Sequence, residues 1–206
     1  VGAGGPYNTI GGATGTSYNP PAGVTVTTYY RRRVTSGVCT AGSNNIAYSN
    51  VVTVTVDQDV DPGSIGNAQT ICSTDDPAAI SSVAPASGGD GSSYSYQWQQ
   101  STTSAVAGFG NIGGATSPTF DPAALTQTTW YRRVASSGVC SSENSNVIEI
   151  TVTPLPTASN PTGGGAVCAG NPAPDIVWNL TGRPPFDISY SVTLNGGPPV
   201  FNVNVN

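Results

Sequence analysis

The sequence predicts an all-β protein built as a tandem array of β-sandwich modules, on three observations. A strand-like run, TTYYRRRVTSGVC at Thr27–Cys39, recurs as TTWYRRVASSGVC at Thr128–Cys140; Thr28, Tyr30, Gly37 and Cys39 each stand 101 residues before Thr129, Tyr131, Gly138 and Cys140. A period of that size is one small β-domain. The 206 residues include 26 Gly and 17 Pro among many Ser, Thr and Asn, a composition that makes turns rather than helices. Several stretches also alternate apolar and polar side chains, the period of a half-buried strand.

Charge and composition narrow the function. All six basic residues are arginine, there is no lysine or histidine, and the formal net charge is −5. Nucleic-acid binding is not expected, because phosphate contacts need Lys and Arg clustered on a basic face. No apolar run approaches the roughly 18 residues of a membrane span. With no histidine there is no Ser-His-Asp or Cys-His arrangement, and with no lysine no Ser-Lys dyad, so an enzyme is not expected. The adjacent carboxylates Asp75 and Asp76 suit a glycosidase pair in type, but beside Pro77 they read as a turn. No signal peptide is visible and the chain starts and stops in mid-pattern, which reads as a mature or excised segment.

Residues 1–56 read as the late half of a module. Ile10–Thr14 matches Ile112–Thr116, and Tyr18-Asn19-Pro20 matches Phe120-Asp121-Pro122, before the repeated arginine strand. Val52, Val54 and Val56 then alternate with polar neighbours, as Ile148, Ile150 and Val152 do in the second copy. If both copies share a geometry, the inner face of the arginine strand is Tyr30, Arg32 and Val34 in one and Tyr131, Arg133 and Ala135 in the other. An arginine then faces inward, reaching for the rim or stacking on an aromatic ring. That reading is preferred to a basic patch made by Arg31–Arg33 and Arg132–Arg133, since the chain is acidic overall.

Residues 57–153 read as a complete module, entered through a linker at 57–66. Asp57, Asp59 and Asp61 alternate and are oxygen donors of the type Ca²⁺ takes, but Pro62 breaks the register of an EF-hand loop and a solvated acidic linker is preferred. Tyr94, Tyr96 and Trp98 share one face of a strand, against Ser95, Gln97 and Gln99 on the other. Such a face is a sugar-stacking platform or a core. Core is preferred, because a Trp on the third strand near a cysteine bridge is the immunoglobulin arrangement, and Tyr131, six residues after Leu125, resembles its tyrosine corner.

Residues 154–206 read as the early half of a further module, opened by Pro154-Leu155-Pro156. Val167-Cys168 corresponds to Ile71-Cys72, and Ile176, Trp178 and Leu180 alternate. A long strand over Phe186–Leu194, a turn at Asn195-Gly196-Gly197 and a strand with Phe201, Val203 and Val205 complete a hairpin. The four cysteines, 39, 72, 140 and 168, form no CxxC and follow the repeat, so Cys72 and Cys140 are expected to pair within the complete module. A bridge closing that loop contributes roughly 4 kcal/mol and implies an oxidising, extracytoplasmic compartment. Partners for Cys39 and Cys168 are expected upstream of Val1 and beyond Asn206.

Taken in order, PGSIGNAQTICSTDDPAAI, YSYQWQQS, FGNIGGATSPTFDP, LTQTTWYRRVASSGVC and SNVIEITV resemble the Ig-like repeats of giant cell-surface proteins and gliding adhesins of Bacteroidota. The resemblance covers 62–153 well, 8–56 as a partial copy and 154–206 more loosely. It implies export through the type IX pathway, display on the cell surface, a gliding-motility-associated C-terminal domain elsewhere in the protein, and no catalytic residues. The expected function is a non-catalytic extracellular stalk or filament of a large adhesin, with neighbouring repeats as its partners. The alternative is a glycan- or protein-binding Ig-like module of a secreted polysaccharide-degrading or adhesive protein, using Trp130, Trp178 or Phe109, and a further expectation is head-to-tail self-association of the two half-modules.

Overall fold

Alternation in the sequence becomes a set of short strands in the computed structural model, which describes residues 4–36, 45–193 and 199–205, with only the backbone for Tyr190, Val192 and 199–205. Among the described residues there are strands and turns and no helix, so the protein is all-β with several sheets, as a β-sandwich requires. The described residues of 4–56 hold four strands: β1 (Thr28–Tyr30), β2 (Arg33–Thr35), β3 (Ile46–Tyr48) and β4 (Val52–Val54). β1 pairs antiparallel with β4 and β2 with β3.

The central segment supplies the core. Its strands are β5 (Gln58–Asp61), β6 (Ser64–Gly66), β7 (Gln69–Cys72), β8 (Ser81–Ala84), β9 (Ser87–Gly89), β10 (Ser95–Ser101), β11 (Gly110–Asn111), β12 (Thr129–Ser136), β13 (Glu143–Asn144) and β14 (Ile148–Thr153). The main sheet runs β11-β10-β12-β14-β7, with β13 also paired to β12. β7 joins β14 in parallel, Gln69 opposite Ile150 and Cys72 opposite Thr153, while β12 runs antiparallel to both β10 and β14. Two antiparallel ribbons, β5–β9 and β6–β8, complete the module.

β12 organises the interior because its period of two is unbroken. Thr129, Tyr131, Arg133 and Ala135 are buried and the residues between them half-buried. Tyr131 joins Trp98, Ile65, Ile80, Ile148 and Ile150 in one cluster, which Leu125, Phe120 and Ile112 flank. Phe120 lies between the two large aromatics, 5.5 Å from Trp98 and 5.8 Å from Tyr131 by ring centroids. Such aromatic pairs add about 0.5–1.5 kcal/mol beyond the area they bury. Trp98 also donates its indole N–H to Ser117 O at 2.8 Å, so its one polar atom is satisfied. At the other end of β12, Ala135 meets Val60 and Ala86, with Tyr94, Tyr96 and Cys140 packed around them. Trp98 and Tyr131 are therefore core residues, and the Tyr94–Trp98 face is turned inward.

Two expectations need correction. The stretch 57–66 contains β5 and β6, both part of the central module. Val60, between Asp59 and Asp61, is 5 % exposed and belongs to the second cluster, and one buried valine suffices to tie an otherwise acidic segment to the fold. Gly63 (φ 67°) makes the turn between these strands, with Asp61 Oδ1 accepting its N–H; a Cβ there would stand 2.3 Å from Ala84 O.

The second correction concerns the bridge expected between Cys72 and Cys140, both of which are free thiols. Cys72 ends β7 beyond the Thr129 end of β12, whereas Cys140 follows the Ser136 end and points its thiol at Gln58 O, 3.4 Å away. The eight residues of β12 that separate these ends extend about 26 Å, and a disulfide needs Cα atoms within about 7 Å. Cys168 is likewise a free, exposed thiol, and Cys39 lies outside the described residues.

The last segment holds β15 (Thr157–Ala158), β16 (Thr162–Gly163), β17 (Ile176–Val177), β18 (Leu180–Thr181), β19 (Ile188–Thr193) and β20 (Pro199–Val205). β15 pairs with β18, β16 with β17 and β19 with β20. The first two ribbons repeat an arrangement of the central module: Thr162 opposite Val177 corresponds to Gly66 opposite Ser81. The hairpin expected of the β19 and β20 sequences is present, and its Asn195-Gly196-Gly197 turn lies outside the described residues.

Candidate functional site

The inward arginine, expected to reach for the rim or stack on an aromatic ring, is the most connected polar group of the central module. Arg133 is fully buried between the two apolar clusters, with Tyr131 before it and Ala135 after it on the same face. Its Nη1 donates to Ser82 Oγ at 2.9 Å and Pro118 O at 2.8 Å; its Nη2 donates to Pro62 O at 2.9 Å and Ala84 O at 3.3 Å. Its Cζ lies 4.6 Å from the centroid of the Tyr96 ring, within cation–π range. Nε finds no acceptor among the described residues.

No carboxylate enters this constellation; three carbonyls and a hydroxyl hold the charge. Desolvation pulls the guanidinium's pKa below its ordinary value, Tyr96 opposes that, and an arginine remains charged throughout the useful pH range. The planar fork reaches Pro62 before β6, Ser82 and Ala84 on β8, and Pro118 at once, which a lysine cannot do. The chemistry available to it is closure of the module, because its Nη donors are already engaged.

A second polar pair frames it. Ser145 exchanges hydrogen bonds with the Arg133 backbone, Arg133 N to Ser145 Oγ at 2.9 Å and Ser145 N to Arg133 O at 2.8 Å. Asn146 then pairs with the backbone of Ile65: Ile65 N donates to Asn146 Oδ1 at 2.8 Å, and Asn146 Nδ2 donates to Ile65 O at 2.9 Å. This role of Ser145 and Asn146 escaped the reading of the sequence. The signal was the triplet Ser-Asn-Val, which recurs at 49–51 and 145–147.

The frame has a counterpart in residues 4–56. Arg32 N donates to Ser49 Oγ at 2.9 Å, Ser49 N donates to Arg32 O at 2.9 Å, and Ser49 Oγ donates to Asn50 O as Ser145 Oγ does to Asn146 O. Arg32 Nη1 donates to Thr16 O at 2.9 Å; Thr16 is the counterpart of Pro118, as Ile10 is of Ile112. Here, however, Arg32 is exposed where Arg133 is buried.

The remaining sequence candidates are placed as follows. Arg132 lies on the Phe109 ring at 4.2 Å and donates from Nε to Gln99 Oε1 at 2.7 Å. Its counterpart Arg31 lies on Tyr7 at 4.0 Å and Tyr48 at 4.2 Å. Arg132 and Arg133 thus point to opposite faces of β12 and form no joint basic patch. Trp130 is half-buried and donates its indole N–H to Glu149 Oε2 at 3.2 Å, Trp178 is half-buried, and Phe109 is half-buried beneath Arg132. Trp130 and Phe109 belong to the central module and Trp178 to the segment after it. Asp75 makes the turn after β7, its Oδ2 accepting from Cys72 N at 3.1 Å, beside exposed Asp76 and buried Pro77. Among the described residues no three His, Cys, Asp or Glu side chains are grouped to hold a metal ion. No described helix is long and apolar enough to cross a membrane.

A family model described as "Domain of unknown function (DUF8696)" matches the chain twice, over residues 4–58 and 61–154. No curated protein and no solved structure matches it.

Proposed function

We propose, for a chain that belongs to the DUF8696 family and carries two successive matches to its model, a non-catalytic structural role: a stalk of immunoglobulin-like sandwich modules displayed outside the cell as part of a large adhesin. The observation that carries this reading is the reuse of one internal frame, arginine, serine and asparagine, in both matched segments. In the central module these polar side chains are engaged with the module's own backbone and hydroxyls.

The sheet order supports the immunoglobulin-like assignment within that proposal. An early strand, β7, lies parallel to the last strand, β14, at the edge of a sheet whose buried Trp98 and Tyr131 come from β10 and β12. The same pairing suits a load-bearing element. Tension that reaches β7 and β14 pulls them along their own axes in opposite directions. The ladder from Gln69–Ile150 to Cys72–Thr153, with the added bond from Thr153 Oγ1 to Ile71 O, is then loaded together instead of one bond at a time.

Pulling the chain by its ends in a force spectrometer tests the proposal. The central module is expected to rupture in one step that releases about 30 nm of chain, from about 3.3 Å per residue over the matched 61–154. Extension without a rupture peak would sink the load-bearing role.

A further inference from the structure

The contrast between the two arginine frames identifies an interaction surface. In the central module Arg133 is 0 % exposed and bonded to Pro62, Ser82 and Ala84, all in the segment before Tyr94. Its counterpart Arg32 is exposed and retains the bond to Thr16, which belongs to its own half. Asn146, itself exposed, holds both backbone groups of Ile65, and its counterpart Asn50 is exposed as well. The apolar positions behave as the arginine does: Ile148 is 6 % exposed and its counterpart Val52 58 %, and Ala135 is 0 % exposed and its counterpart Val34 56 %. The described residues of 28–36 and 45–54 thus leave exposed the positions that the early half covers in the central module.

We infer that this face, built by Arg32, Asn50, Val34 and Val52, is a docking site for the early half of a module of the same family, a segment with the chemistry of residues 57–101. Such a segment offers the carbonyls and hydroxyl that an arginine fork needs, a free backbone N–H and C=O for Asn50, and apolar side chains equivalent to Ile65, Ile80 and Trp98. The early half at 157–181 of a second copy is a poorer match on the same criteria. Pro161 stands where Ile65 does and has no N–H for Asn50 Oδ1, and Trp178 stands where Ser82 supplies its hydroxyl. The inference rests on the tandem-module reading, but concerns recognition and not load.

A synthetic polypeptide of residues 57–101, titrated under reducing conditions into the full-length chain, tests it. Saturable one-to-one binding is expected, with slowed amide exchange over 28–35 and 46–54. Arg32→Ala and Asn50→Ala should each weaken binding by about tenfold or more, because each removes hydrogen bonds that the docked segment would otherwise leave unpaired. Amide exchange of the central module checks that each variant is folded. Absence of binding overturns the inference, as does binding unaffected by both Arg32→Ala and Asn50→Ala. Self-association of the chain alone that Arg32→Ala abolishes would make a second copy the occupant and also overturn it. None of these outcomes changes the rupture expected of the central module under force, so failure of this inference and failure of the stalk proposal are separable.

Discussion

Asn146 and Ile65, 81 residues apart, are joined by two hydrogen bonds in which the asparagine amide stands in for a strand's backbone. Ile65 is 3 % exposed, so its N–H and C=O rely on that partner. Asn146→Ala should cost about 2–4 kcal/mol, because it leaves a buried N–H and a buried C=O unpaired at about 1–3 kcal/mol each. Asn146→Asp keeps the acceptor but sets a carboxylate oxygen against Ile65 O, and should be no better than alanine. Urea unfolding followed by Trp98 fluorescence measures both, and a loss below about 0.5 kcal/mol would remove the pair from the account.

Arg133 makes a sharper case because its charge has no counter-ion in the constellation. Arg133→Lys preserves the charge but presents one ammonium to acceptors that lie on three separate segments, at Pro62, Ser82 with Ala84, and Pro118. It should destabilise by about 2–3 kcal/mol. Arg133→Ala adds a cavity between the clusters and should lose about 3–5 kcal/mol. Tyr96→Leu, which removes the ring facing the guanidinium, should lose about 1–2 kcal/mol. Equal stability of Arg133→Lys and the parent would show that the fork geometry is unimportant.

Much of this interior is legible in the residues and some of it is not, for reasons that lie in the chain itself. The inward phase of Tyr131, Arg133 and Ala135 follows from the strand period, and the burial of Trp98 follows from its alternation with Gln97 and Gln99. The acceptors of Arg133 do not follow, because Pro62, Ala84 and Pro118 contribute backbone oxygens, which side-chain patterns do not reveal. β5 was obscured by composition, since three aspartates surround the single buried Val60. The repeat placed one early and one late cysteine in each module, yet equal spacing carries no information about which end of β12 each one occupies. The aromatic candidates were separated by the same limit: Trp130 and Phe109 sit beside Glu149 and Arg132 through cross-strand register and loop geometry.

The thiols give a direct chemical check. Cys72 is exposed and Cys140 half-buried at the far end of β12. Iodoacetamide added without reductant should alkylate Cys72 in the folded chain, and both residues once the chain is unfolded, as read by peptide mass. Cys72→Ala should change stability by about 0.5 kcal/mol or less. A loss of about 2–4 kcal/mol that depends on oxidising conditions would instead show that the residue is bridged.

Asp90 links the turn before β10 to the turn after β12, and its ionisation should be readable in acid. The Ser92 N–H, 3.0 Å from Oδ1, and the Ser137 hydroxyl, 2.7 Å from the same atom, favour the carboxylate and lower its pKa from 3.8 to about 2. The backbone donor of Ser92 contributes most, then the Ser137 hydroxyl. A carboxyl whose folded pKa lies below its unfolded value contributes stability above the unfolded value and loses it as pH falls through the folded one. The acid-dependent part of this contact should therefore disappear between pH 3.8 and about 2. A carboxyl-carbon chemical-shift titration should place the midpoint of Asp90 near 2, and Ser137→Ala should move it upward. Gly138→Ala tests the same junction by space: the glycine has φ 57°, and its Cβ would stand 2.9 Å from Asp90 Oδ2. That variant should shift the Asp90 titration and lower the melting temperature. An unchanged midpoint in both Ser137→Ala and Gly138→Ala would mean that the two turns are not coupled through this carboxylate.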